Sequence, residues 1–260
     1  MERLRTERPR GLTRAGLRKW GMLFMLLGIF ARGILQTRFL NMANLNTDQL
    51  LEILNTAPDA MFVATVSLVL QFVESCAMPI FCFLLAEGFT YTSHSGKYLL
   101  RVMGIALLSE IPYNYVMSGR FFDMSTRNPA FGIAVSLFLL YLYDYFKEKK
   151  IVNVLLKIVV TMAAFVWCGI LKIEGGFCLV LITTAFWFFR KKPMIRNLVG
   201  GVASMVGCLF SMFYLSAPMG IMVVHFYNGE KGEENRLLSC LFYPAALTLC
   251  GVIGYFVFGF

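Results

Sequence analysis

Histidine is nearly absent. Two in 260 residues, His94 and His225, are too few for a histidine-built metal site, and no metal is expected. The chain has no GxSxG elbow, no Walker loop and no HExxH helix, which excludes the common arrangements of serine hydrolases, P-loop nucleotidases and zinc peptidases. The seven cysteines (76, 82, 168, 178, 208, 240 and 250) include no CxxC pair and lie mostly in apolar runs, so they read as buried thiols rather than disulfides. Charge is scarce as well, at 15%, and no polar stretch is long enough to fold as a separate soluble domain. Internal repeats and low-complexity tracts are missing.

What is abundant is apolar. The chain is 58% hydrophobic, with 25 phenylalanines and a mean hydropathy of +0.68, well above a soluble domain. Apolar runs suited to a hydrocarbon core of about 30 Å recur from Trp20 to the end, which predicts an all-α polytopic membrane bundle. The net charge of +9 comes from short Lys/Arg clusters between those runs. That is the positive-inside pattern of cytoplasmic loops, and it argues against a nucleic-acid partner; the partner is the lipid bilayer. Residues 1–16 form a basic cytoplasmic segment and 17–260 a single transmembrane domain. No small-residue cleavage site follows the basic N-terminus, and Arg32 interrupts the first apolar run, so an uncleaved span is expected.

The expected order begins with a span at 17–35 and a polar external connection carrying a short amphipathic helix near 48–54. A long helix at 60–91 follows, with Pro79 as its kink. Further spans are expected at 97–116, 130–145, 152–171, 177–189, 195–214 and 237–258. The clusters KEKK at 147–150 and RKKP at 190–193 sit on the cytoplasmic side. The segment GIMVVHFYN is too short to cross unless extended upstream, which leaves a re-entrant half-span open and gives eight or nine spans. Gly200, Ala203, Ser204 and Gly207 predict close helix packing.

Ionisable residues inside such spans are costly and mark a bundle interior or a cavity. By helical rise Glu110 lies roughly 20 Å, Arg32 roughly 18 Å and Glu74 roughly 27 Å from the cytoplasmic ends of their helices. Matching depth makes Arg32 the expected partner of Glu110. That pair reads either as a helix-to-helix ion pair without chemistry or as a polar site, with Pro112, Tyr113 and Asn114 one turn on. Glu87 lies near a cytoplasmic end, where it snorkels or orients a ligand together with Tyr91, His94, Lys97 and Arg101. A cationic mouth of that kind suits a polyphosphate. His225 is an acid/base candidate or a hydrogen-bonded structural histidine.

The segments AMPIFCFLLAEGFTYTSHSGKYLLRVMGIALLSEIPYN, NPAFGIAVSLFLLYLYDYF and FYNGEKGEENRLLSCLFYP resemble the TraX family of bacterial membrane proteins, from about residue 18 to the end. The family is named for a protein that N-acetylates the pilin of conjugative pili, and it is similar to a wider group of multi-span acyltransferases. The resemblance implies a multi-pass protein of the bacterial inner membrane that takes an acetyl or acyl group from cytoplasmic acetyl-CoA to an amine or hydroxyl of a pilin-like peptide or envelope glycan. Glu87 and Gly88, Arg101, Glu110 and Pro112, and Tyr227, Asn228 and Gly229 fall on the family's motif segments.

Two positions depart from the pattern. The Asp-His pair typical of the first span is missing where Gly28 and Ile29 stand. The histidine that tends to follow the last F-Y-P is replaced by Ala245 and Ala246. Acyl transfer commonly uses a base to take the acceptor proton, so Glu110 or His225 would substitute, with Arg32 positioning the base or stabilising oxyanion charge. The alternative is a transport, assembly or scaffold protein without catalysis.

Overall fold

The structure is a computed structural model that describes residues 11–42, 45–146 and 150–258. Among these residues the regular structure is helical, apart from two isolated bridges between loops. The expected basic residues at 1–10, and most of the KEKK cluster at 147–150, lie outside the described residues. Helix α1 (Arg14–Phe30) starts at Thr13, whose hydroxyl accepts from the Gly16 N–H at 3.1 Å. It continues as a π-helix, Ala31–Phe39, in which hydrogen bonds shift by one residue; the Leu40 N–H accordingly reaches the Leu35 carbonyl. The expected amphipathic helix is α2 (Thr47–Thr56), where the Gln49 side chain accepts from the Asn46 N–H at 3.1 Å.

The long second helix is divided into α3 (Pro58–Ser75) and α4 (Ala77–Thr90), with the break at Cys76. Pro79 lacks the N–H that would bond the Ser75 carbonyl, so the break falls one turn before the proline. A Cβ built on Gly220 would fall on the Cys76 carbonyl, which shows how closely the later helix Ala217–His225 approaches this break. Helix α5 (Ser95–Ser118) runs through Pro112 and stops at Gly119, which takes the left-handed conformation at φ 71°. Next come α6 (Pro129–Tyr145), α7 (Lys150–Ile170), α8 (Gly176–Phe188), α9 (Pro193–Val206), α10 (Ala217–His225) and α11 (Arg236–Phe258).

Four stretches are long and apolar enough to cross a membrane: Arg14–Phe39, Pro58–Thr90, Asn153–Ile170 and Leu237–Val257. Helices α6, α8, α9 and α10 are apolar but shorter. Burial separates the helices into two groups. In α4 and α8 most residues are buried, among them Ile80, Phe83, Ile182 and Phe186. By contrast α5, α7 and α11 expose Leu100, Leu107, Val154, Ile158, Leu238 and Val252. Such apolar outer faces suit hydrocarbon as solvent and mark the bundle as membrane-embedded.

Helices α3 and α4 run antiparallel to α1 along its length. Ser67 bonds the Ala31 carbonyl at 3.3 Å, Glu74 lies against Gly28, Ile80 and Phe81 against Gly21, and Arg14 against Gly88. Helices α5 and α11 run parallel to α1 and share with it a cluster of Ile29, Tyr113, Val116, Leu247 and Cys250. The small-residue face of α9 packs on α8, where Gly200 meets the Phe186 ring. The GIMVVHFYN segment is lengthened upstream by the turn Met212–Ser216 and returns beside α9, with Asn197 Nδ2 3.4 Å from His225 Nδ1. The loop after it is held to the start of α1: the Leu12 N–H donates to the Phe226 carbonyl at 2.7 Å and the Arg14 N–H to that of Glu230 at 2.8 Å. Loop 226–232 therefore lies at the same end of the bundle as the N-terminus of α1.

Candidate functional site

A cavity of about 660 Å³ lies between α1, α3, α4, α5 and α11. Helix α1 and the π-helix that continues it line the cavity with one stripe, Arg14, Arg18, Met22, Met25, Ile29 and Arg32. The three- and four-residue spacing keeps all six on one face, and by helical rise the stripe is roughly 27 Å long. Facing it in the opposite direction are Gly88, Leu85, Phe81, Met78, Glu74 and Gln71 from α4 and α3. The walls are polar at both ends and apolar between.

One end is cationic. Arg14, Arg18, Lys97, Arg101 and Lys231 line it, with Glu234 as the carboxylate, bound to Arg18. His94, at the N-terminal boundary of α5, and Tyr91 complete the rim. Arg14 Nε is buried with no hydrogen-bond partner among the described residues. A group of cations that outnumbers its counter-charges, with a donor left over, is built to receive an anion.

The other end holds Arg32 between two carboxylates. Its guanidinium bonds Glu74 through Nη2 and Glu174 through Nη1, and the three side chains are only 18%, 19% and 30% exposed. Tyr113 donates to the second oxygen of Glu174 at 2.7 Å. Tyr214, Tyr243, Phe242 and Gln71 close the wall. Two acids share one cation here, so the cluster has one more carboxylate than it has cations to match. Position 28 makes the arrangement possible, since a Cβ built on Gly28 would overlap the Glu74 carboxyl group.

Glu174 comes from the KIEGG loop, which sequence reading treats only as a tight connection. The loop is fixed by a bridge to the one before α6: the Arg127 N–H donates to the Lys172 carbonyl and the Glu174 N–H to that of Arg127, both at 3.0 Å. The expected Arg32–Glu110 pair is not formed. Glu110 bonds Arg127 Nη1 at 2.9 Å through one oxygen and Asn128 Nδ2 at 2.6 Å through the other, while Asn128 Nδ2 also donates to the Ala106 carbonyl at 2.9 Å. Depth along a helix fixes one coordinate; direction around the bundle separates Arg32 from Glu110. Glu110 thus anchors the loop before α6, which in turn holds the Glu174 loop through its backbone bonds.

Of the other residues singled out in the sequence, Tyr91, His94, Lys97 and Arg101 join Arg32 along the cavity. Glu87, Glu110, Tyr113, Asn114, His225, Tyr227 and Asn228 are not part of its lining. His225 is exposed at the end of α10. Tyr227 donates to Glu87 at 2.6 Å, and burial, followed by that carboxylate, pushes the phenol's pKa up, so it remains a donor. Asn128, Glu174 and Arg14 escaped the sequence reading. The signal available for Arg14 was the stripe at 14, 18, 22, 25, 29 and 32.

A family model described as TraX protein matches residues 22–254. The chain is also 26% identical over 206 residues, 69% of its length and 80% of the relative's, to a protein of Dichelobacter nodosus named probable fimbrial assembly protein FimC, serogroup H1. No solved structure is a significant match.

Proposed function

The chain belongs to the TraX family, and from that premise we propose that it is a membrane acyltransferase moving an acetyl or related acyl group from cytoplasmic acyl-CoA to an amine or hydroxyl of a pilin-like peptide or envelope glycan. The observation that carries this reading is the single cavity joining a cationic mouth to a buried Arg-carboxylate cluster. The polyphosphate of acetyl-CoA suits Arg14, Lys97, Arg101 and Lys231. The apolar middle suits its slender arm, and the far cluster offers both a cation for developing oxyanion charge and carboxylates for the acceptor proton. The basic residues at the mouth end of α1 favour a cytoplasmic mouth under the positive-inside rule, in keeping with a protein of the bacterial inner membrane. The name of the Dichelobacter relative supports a pilus-related acceptor. It also favours a second reading, assembly without chemistry, which one assay separates from the first.

Sealed inside-out vesicles carrying the protein are given acetyl-CoA labelled in the acetyl carbon, and peptide, glycan and lipid fractions are counted. Label should enter the peptide or glycan fraction only when the protein is present. The double variant Lys97→Gln/Arg101→Gln should raise KM for acetyl-CoA about tenfold at unchanged kcat, since each side chain is exposed and a lost contact there is worth about 0.5–1 kcal/mol. Vesicles that hold folded protein and transfer no label favour assembly without chemistry.

A further inference from the structure

The geometry points to Glu74 as the general base, an assignment that rests on the acyltransferase reading. Two carboxylates meet Arg32, and their surroundings differ. Glu174 has both oxygens engaged, one by Arg32 and one by the Tyr113 hydroxyl at 2.7 Å. Glu74 is held by Arg32 through Oε1 alone, and Oε2 has no hydrogen-bond donor among the described residues. Because Glu74 lines the cavity and its side chain is 19% exposed, that oxygen is available to a ligand.

Gly28 shows that the position is specific. The space a side chain at 28 would occupy is filled by the Glu74 carboxyl, so the first helix gives up its own side chain at this level and α3 supplies an acid there. Gly28 also stands four residues, about one turn, before Arg32, which places acid and cation at neighbouring levels of the cavity wall.

In the resulting step Glu74 Oε2 removes the proton from the acceptor N–H or O–H as that nitrogen or oxygen bonds to the thioester carbonyl carbon. The carbonyl oxygen takes up negative charge within reach of Arg32. When the carbonyl re-forms, the C–S bond breaks and the departing CoA thiolate receives the proton from Glu74. The products are the acylated acceptor and free CoA-SH, and Glu74 returns to its ionised form.

The test is the vesicle assay with labelled acetyl-CoA on four proteins: wild type, Glu74→Gln, Glu174→Gln and Gly28→Ala. Binding of acetyl-CoA is followed separately by the rise in melting temperature that it causes. Glu74→Gln should keep the acetyl-CoA-induced rise and lose at least about 100-fold in kcat, the usual share of a general base. Glu174→Gln should lose less. Full turnover by Glu74→Gln, or a larger loss in Glu174→Gln than in Glu74→Gln, overturns the assignment while leaving the transferase reading in place. Absence of label even from wild type overturns the transferase reading itself. If Glu74→Gln does not fold, Gly28→Ala decides, because it keeps the carboxylate and only displaces it: wild-type turnover there also overturns the assignment.

Discussion

Adding one methyl group at position 28 is the most economical perturbation of the site. The Cβ of Gly28→Ala would overlap the Glu74 carboxyl carbon, whereas an ordinary contact begins at 3.4 Å. Glu74 must therefore withdraw by more than about 1 Å, a distance at which displaced catalytic groups lose on the order of 100-fold in rate. Withdrawal also breaks the hydrogen bond to Arg32, and overpacking of this kind costs about 1–3 kcal/mol. The cationic mouth, ten to fourteen residues away along α1 at Arg18 and Arg14, is untouched, so the loss should fall on kcat and leave KM for acetyl-CoA within about twofold. Gly104→Ala is the control, since a Cβ there meets nothing within 4 Å and alanine favours the helix by about 0.5–1 kcal/mol. Label transfer per folded molecule, with melting temperature in detergent, measures both effects. Native kcat in Gly28→Ala would refute the reasoning.

Two further perturbations separate the deep cluster from its scaffold. Arg32→Met leaves Glu74 and Glu174 facing each other without a cation and should lower stability by about 3–5 kcal/mol, the cost of breaking a buried ion pair from one side; an unchanged unfolding midpoint would contradict the burial of the cluster. Glu110→Gln weakens its bonds to Arg127 and Asn128, so stability should drop by about 1–3 kcal/mol while turnover per folded molecule stays within about fivefold. Loss of all turnover in a fully stable Glu110→Gln protein would return the base to Glu110.

The solvent of the fold was legible in the sequence because hydropathy over a helix length is a local property. So were α2 and the break near Pro79, each set by residues within a turn or two. The cationic rim was partly legible, since Tyr91, His94, Lys97 and Arg101 lie close together in the chain. The deep cluster was not. Arg32, Glu74 and Glu174 come from a helix turning into a π-segment, a helix end and a short loop, and nothing local couples positions so far apart. Equal depth suggested Arg32 and Glu110, but helices at the same level can face different neighbours. Glu174 was passed over because KIEGG has the composition of a turn, with Gly175 at φ 64°, and a turn residue gives no periodicity to read.

The backbone clasp between Leu12 and the 226–232 loop fixes an order of events during synthesis. Helix α1 leaves the ribosome well before the segment that bonds its opening turn, with helices α2 to α10 made in between. Until then the amides of Leu12, Arg14 and Ala15 lack their native acceptors, and Arg18 lacks Glu234. The cavity mouth therefore closes late, and a truncation that spares every earlier helix but removes this loop and α11 leaves a chain that can insert without completing its entrance.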